Sequence, residues 1–449
     1  MKKYFFLSLL AATAVSGAAH AGTIFEAWNE TYKSNPTLQA QRAYLRAIDE
    51  NVAIAKSGYR PNIYLNGSYT ESNVSGDQDY DEDNGSIAAK ISQPIFSGFQ
   101  TVNSVKAADS TVKAEQNNLY SVEQNVLLNA STAYLNVVRD EAIVNLQKNN
   151  EKLLKKRLDE TIQRFNVGEV TRTDVSQARA RHSQAQADRI TSEGNLQASK
   201  AEYMKIIGSA PENLSYPEDI KKYFPANLDE AYNYAVDHNY MIKQAKNMLN
   251  AQTYNVAANN GALLPSVTLD GTASKNTNDN STYDGKVTTD NLEWGVNLRV
   301  PLYSSGESRA KIRQSKYQKW QAQEQVVEAE RVVRSGVESA WEYMVSNEAK
   351  ITSIKDQVKA NEIALDGVQK EEALGNRTIL DVLDAYQELL SSNVEEVKAR
   401  RDYFVSGMEL LVAMGKLTAK DLNLDVDIYD PNKYYEETKD KWLSLSIDK

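Results

Sequence analysis

Asp381 and Asp384 stand three positions apart, so on a helix their carboxylates share one face. A pair so placed attracts cations and, with a further ligand, could bind a metal. Asp381 has a simpler use as well. Thr378-Ile379-Leu380-Asp381 fits a capping box, and an acid near a helix start is favoured by the helix dipole. Asp384 lies about a turn further in, among Ile379, Leu380, Val382 and Leu383, where capping does not account for it. Other reactive chemistry is sparse. His20 sits near the start of the chain, and His182 and His238 fall on predicted helices without metal-ligand spacing. There is no cysteine, which excludes a disulfide framework, a thiolate metal site, a thiol nucleophile and an amino-terminal lipidated cysteine. No nucleophile elbow or P-loop occurs, so the sequence predicts neither an enzyme nor a bound cofactor or metal.

The elements that position these residues begin after a segment of another kind. Lys2 and Lys3, the apolar run Phe5 to Val15 and Ala19-His20-Ala21 have the pattern of a secretory signal over residues 1–21. That run is too short to span a membrane, and no later stretch reaches 18 apolar residues. A membrane contact would therefore be made by a barrel or at the surface. The formal charge of the 449-residue chain is −10, and −12 without the two signal lysines. Such an acidic chain is a poor partner for nucleic acid or anionic lipid.

The sequence repeats itself. Arg60-Pro61-Asn62-Ile63-Tyr64-Leu65-Asn66-Gly67 corresponds to Leu264-Pro265-Ser266-Val267-Thr268-Leu269-Asp270-Gly271, at an offset of 204. Gln93-Pro94-Ile95-Phe96-Ser97-Gly98 corresponds to Val300-Pro301-Leu302-Tyr303-Ser304-Ser305-Gly306. Later matches hold an offset of 207: Tyr134 with Trp341, Gly168 with Gly375, Asp174 with Asp381, Gly208 with Gly415. These matches divide the chain into a first repeat (22–208), a linker (209–236), a second repeat (237–415) and a tail (416–449).

Within each repeat, Ile63, Leu65, Gly67 and Tyr69, then Ile87, Ala89 and Ile91, alternate with polar residues, as do Val267, Leu269, Gly271 and Ala273, then Leu292, Trp294, Val296, Leu298 and Val300. Alternation of this kind predicts strands with one apolar face. Polar segments 72–86 and 274–290, the first carrying Asp77, Asp79, Asp81, Glu82 and Asp83, read as hairpin loops. All nine prolines fall outside 95–210 and 302–430, where long helices are predicted. Gly98 to Gly168 spans 70 positions, on the order of 100 Å if helical throughout. Val105, Val112, Leu119, Val126 and Ala133 step by seven, echoed by Ile312, Val326, Val333 and Ala340 with a break at Lys319, which predicts a narrow seam against neighbouring helices. Tyr59, Tyr64, Trp294 and Tyr303 lie near strand ends and suit either a membrane-interface girdle or a core. Four strands cannot close a barrel, and an open edge in lipid leaves backbone groups unpaired. Two chains would give eight strands with a filled interior, whereas three would give twelve and a lumen. A soluble periplasmic coiled-coil protein would explain the helices but not the matched strand pairs.

Together the signal, the repeat, the Pro-aromatic-Ser-Gly strand endings and two turns resemble TolC-type outer-membrane efflux proteins. The turns are Arg164-Phe165-Asn166-Val167-Gly168-Glu169-Val170-Thr171-Arg172-Thr173-Asp174-Val175 and Gly375-Asn376-Arg377-Thr378-Ile379-Leu380-Asp381-Val382-Leu383-Asp384-Ala385. The resemblance runs from about Ile24 to Leu417. It implies an α+β membrane protein: long α-helices forming a periplasmic α-barrel, and four β-strands per chain contributing to a 12-stranded β-barrel shared by a homotrimer in outer-membrane lipid. It also implies a periplasmic adaptor and an inner-membrane pump of the ABC or RND type as partners, with the linker and tail forming a belt around the tunnel. Asp381 and Asp384 would then form the pore constriction. Asp174 and Arg377 would belong to a network that holds the entrance shut. Glu372 stands where the best-studied members carry a tyrosine in that network, and Arg172 is its candidate partner. Gly168 and Gly375 would form the helical-tip turns near which adaptors dock.

Overall fold

The computed structural model describes residues 22–76, 80–280 and 286–445. The signal read over 1–21, and loop residues Asp77 and Asp79, lie outside the described residues. The chain divides into two units. The first comprises Met1–Gln39, Ser121–Asn239 and Val333–Ile428; the second comprises Ala40–Tyr120, Tyr240–Val332 and Tyr429–Lys449. Each unit therefore draws on both repeats.

The repeat is legible in the order of elements. In the first copy α1 (Ile24–Ser34) and α2 (Pro36–Lys56) lead to β1 (Asn62–Val74), β2 (Tyr80–Ser97), α3 (Gln100–Asn166) and α4 (Arg172–Ile207). In the second, α5 (Leu228–His238) and α6 (Tyr240–Gly261) lead to β3 (Ser266–Asn280), β4 (Val287–Arg299), α7 (Glu307–Ala373) and α8 (Ile379–Met414). Helices α3 and α7 each run 67 residues and α4 and α8 each run 36. The segment read as a linker holds a 3₁₀ turn, Glu218–Tyr223, and the start of α5, the counterpart of α1. The tail contributes α9 (Pro431–Thr438).

In the first unit the interior is built around Trp28, whose indole N–H donates to Ser131 Oγ at 2.9 Å. Tyr134 and Tyr203 are fully buried in the same unit. The sevenfold positions Val126 and Ala133 are buried there, and Val112 and Leu119 in the second unit, as the narrow apolar stripe requires. The two copies join their helix pairs in the same manner. Asn35 between α1 and α2 donates to the carbonyl of Ile206, and Asn239 between α5 and α6 donates to that of Ala413.

In the second unit the four strands form one antiparallel sheet in the order β1-β2-β3-β4. The register aligns Ile63 with Ile91, Leu65 with Ala89, Ala89 with Ala273, Ile91 with Gly271, Gly271 with Trp294 and Ala273 with Leu292. Because side chains alternate with a period of two, the apolar sets of all four strands fall on one face. The other face is polar. There Asp270 accepts hydrogen bonds from Ser92 Oγ (2.5 Å), Thr268 Oγ1 (2.8 Å) and Asn297 Nδ2 (2.5 Å). The strands also run further into the polar segments than alternation alone predicts. Glu71 pairs with Asp83 and Asn73 with Asp81, and Asn278 donates to Glu82 and Asn84. The backbone ladder continues there because pairing needs no apolar face once both sides are wet.

Candidate functional site

The residues singled out for chemistry collect at two turns of the first unit. Helix α3 ends in a Schellman motif, with Gly168 N–H bonded to Phe165 O (3.0 Å) and Glu169 N–H to Arg164 O (2.9 Å). Helix α7 ends in the same motif, Gly375 N–H to Glu372 O and Asn376 N–H to Glu371 O, both 2.9 Å. Both glycines sit at φ +81°, a left-handed conformation that costs an L side chain about 1–2 kcal/mol. The next helices start on capping boxes. Asp174 Oδ2 accepts from the Thr171 N–H (2.8 Å) and hydroxyl (2.7 Å), and Asp381 Oδ2 from those of Thr378, both at 2.9 Å. These bonds hold both carboxyls below the usual range, through the Thr171 hydroxyl first for Asp174 and the Thr378 backbone N–H first for Asp381.

Each turn is also closed by an ion pair, with the cation on opposite sides of the glycine. In the first copy Arg164 Nε meets Glu169 Oε2 at 3.2 Å; in the second Arg377 Nε meets Glu371 Oε2 at 2.8 Å. The pairing with Glu371 raises the Arg377 pKa further. Thus the structure does not bring Asp174 and Arg377 together within one chain: each serves its own turn.

Between the copies, two other pairs form. Arg164 Nη1 reaches Glu372 Oε1 at 2.5 Å, and Glu372 is largely enclosed. Arg172, at the first position of α4, is exposed, and the cation on Glu372 is Arg164 instead. Arg181 on α4 meets Asp384 on α8 at 2.5 Å. Asp381 and Asp384 thus flank Val382 and Leu383, both buried, with Leu383 packed beside Leu154 and Ala185. Above this cluster Tyr386 accepts hydrogen bonds from Gln369 Nε2 (2.5 Å) and Arg157 Nη2 (3.4 Å). Sequence reasoning did not single out Arg157, Arg181 or Tyr386, nor Arg164 as more than part of the turn. Arg181 was accessible in principle, since it is one of several cations on the α4 stretch that returns past the Asp381 turn.

The chain matches the family described as Outer membrane efflux protein over residues 28–209 and 231–416. The chain belongs to this family. It is similar to outer membrane efflux protein BepC of Brucella suis, at 37% identity covering 97% of this chain and 95% of the relative. It also resembles outer membrane protein TolC of Escherichia coli, at 27% identity covering 92% and 86%. Among solved structures, the Campylobacter jejuni CmeC outer membrane channel superposes with a TM-score of 0.78 at 16% identity, covering 93% and 89% of the two chains. The TolC-type resemblance read from the turns is thereby borne out, and the protein is an outer-membrane efflux channel, not an enzyme. Its strands form barrel wall in the outer membrane and its helices extend into the periplasm. Placed in that membrane, the apolar face of the sheet meets lipid and the polar face around Asp270 meets water.

Proposed function

We propose that this efflux channel works as a homotrimer whose twelve strands close one barrel. The observation that carries this reading is the sheet itself. It has a continuous apolar face and two outer edges, β1 and β4, with no partner strand among the described residues. In lipid each unpaired backbone group is costly, so the edges of one chain must be paired by those of others. Three copies give a barrel wide enough for a lumen.

The helical turns then form the periplasmic entrance. A periplasmic adaptor docks by the Gly168 and Gly375 turns and connects the channel to an inner-membrane ABC or RND-type pump, which chooses the cargo. Asp381 and Asp384 from three chains supply six carboxylates at the constriction, which favours cations over anions as charged rings do in other pores. Asp174, Arg377, Arg172 and Glu372 lie around the joints that separate on opening. Arg164 and Arg181 join this set because they tie the first repeat to Glu372 and Asp384 of the second.

The test is fractionation followed by electrophoresis without and with heating. A heat-dissociable trimer in outer-membrane extract is the expected result. A soluble periplasmic monomer would overturn the reading.

A further inference from the structure

The tail of the second unit is laid along α2 in parallel. Tyr429 lies under Arg42 and Arg46, whose guanidinium carbons are 5.1 and 5.9 Å from its ring centre. Tyr434 donates to Glu50 Oε1 at 2.9 Å, and Tyr435 to Asp109 Oδ1 on α3 at 2.5 Å. Further on, Asp440 pairs with Lys56 at 2.6 Å. Arg60 donates to the carbonyl of Lys441 at 3.0 Å and stacks on the Trp442 ring at 4.7 Å. As the tail number rises, so does the number of its partner along α2 and on to Arg60 beyond it. The strap therefore climbs toward the root of β1, which begins at Asn62, two residues beyond Arg60.

At its upper end the strap stops covering its own side chains. Trp442 is 65% exposed, Leu443 95% and Leu445 100%. Every earlier tail aromatic is engaged with α2 or α3, so this apolar end is a separate feature. It emerges at the periplasmic edge of the membrane-embedded sheet, where Tyr59 and Phe99 are also more than half exposed.

We propose that residues 441–445 form a lipid-interface clamp, in which Trp442, Leu443 and Leu445 enter the periplasmic leaflet of the outer membrane beside the root of β1. The lipid already surrounding the sheet is continuous with this position, which selects phospholipid as the occupant. An indole at the headgroup boundary can keep one face in the acyl region and one wet, and leucines add buried apolar area. Arg60, held against both the indole and the Lys441 carbonyl, places a cation at headgroup height, where anionic phosphate favours it. Arg60 is thus a positioning residue: it fixes where the strap meets lipid. The proposal rests on the sheet lying in the membrane and not on the number of chains that share the barrel.

The chain has no cysteine, so single labels can be placed on the intact protein without a background. Full-length channel carrying an environment-sensitive fluorophore at Leu443→Cys, Lys433→Cys or Val296→Cys is reconstituted in phosphatidylethanolamine–phosphatidylglycerol vesicles with shallow doxyl-labelled lipid. Val296 lies on the apolar face of β4 and reports the sheet. Quenching at 443 approaching that at 296, with a blue-shifted emission, and several-fold weaker quenching at 433, is the expected result. Quenching at 296 but not at 443 overturns the clamp alone. A blue shift at 443 without lipid quenching also overturns it, since the site is then covered by protein, for example a second copy of the chain. Absence of quenching at 296 overturns the membrane placement and the clamp with it. Arg60→Gln should reduce quenching at 443 while leaving 296 unchanged, and undiminished quenching at 443 would overturn the role given to Arg60.

Discussion

At the residue scale, Asp381 and Asp384 differ more than their shared face suggests. Asp381 is committed to the Thr378 cap, and its carboxyl stays ionised to lower pH than usual because of those bonds. Asp384 is instead paired with Arg181, which offsets part of its charge. Both groups of that pair are substantially exposed, so the pair itself is worth only about 0.2–1 kcal/mol. At the proposed constriction its effect on the field would be larger, because one cation per chain stands beside one acid per chain. Arg181→Gln should therefore increase the preference for cations over anions in planar bilayers, whereas Asp381→Ala with Asp384→Ala should reduce it. Reversal potentials under a salt gradient measure both, and identical selectivity in all three channels would remove these residues from the pore. The Asp381 cap was legible in the sequence because Thr378 is only three residues away. The Arg181 bond was not, because its partners are 203 positions apart and only the packing of α4 on α8 brings them together.

At the element scale, the sheet was the more legible part and the strap the less. Period-two alternation identified the apolar positions of all four strands, and the register then placed them on one face. It could not fix where the strands end, since the ladder runs on through polar residues such as Asn73 and Asp81. The tail offers no period at all. Its aromatics are held by Arg42, Arg46, Glu50, Asp109 and Arg60, contacts that no local spacing encodes. Gly271 shows a second limit. It sits in an alternating apolar set, yet a Cβ there would come within 2.5 Å of the Trp294 ring across the strand pair. The glycine leaves the space over which the indole lies, a pairing of glycine and cross-strand aromatic that also helps set register. Gly271→Val should push the indole off the sheet at about 1–3 kcal/mol, the usual range for overpacking. Heat dissociation of the proposed trimer followed on gels is expected to shift to lower temperature, and a small residue such as serine there should shift it less. Equal behaviour of the valine and wild-type channels would refute the packing role.

At the scale of the whole molecule, the symmetry of the proposed trimer changes what a weak contact can do. The Arg164–Glu372 pair joins the end of α3 to the end of α7, one element from each repeat. Glu372 is largely enclosed but Arg164 is well exposed, so screening limits the pair to about 1 kcal/mol. A single contact of that size would hold an entrance closed by only about fivefold. If opening breaks it in all three chains at once, the contributions add to about 3 kcal/mol, more than a hundredfold in the closed-to-open ratio. Glu372→Gln should then raise the open fraction and the mean conductance in planar bilayers, with Arg164→Gln giving the same change. The double variant should add little more, since either change alone already removes the pair. Mixed trimers give the decisive measurement. The logarithm of the open ratio should rise in equal steps with the number of subunits that carry the Glu372→Gln substitution, from none to three. A full effect from the first altered subunit would instead mean that one chain can open the entrance alone, and no effect at any composition would mean that Glu372 closes the turn without closing the channel.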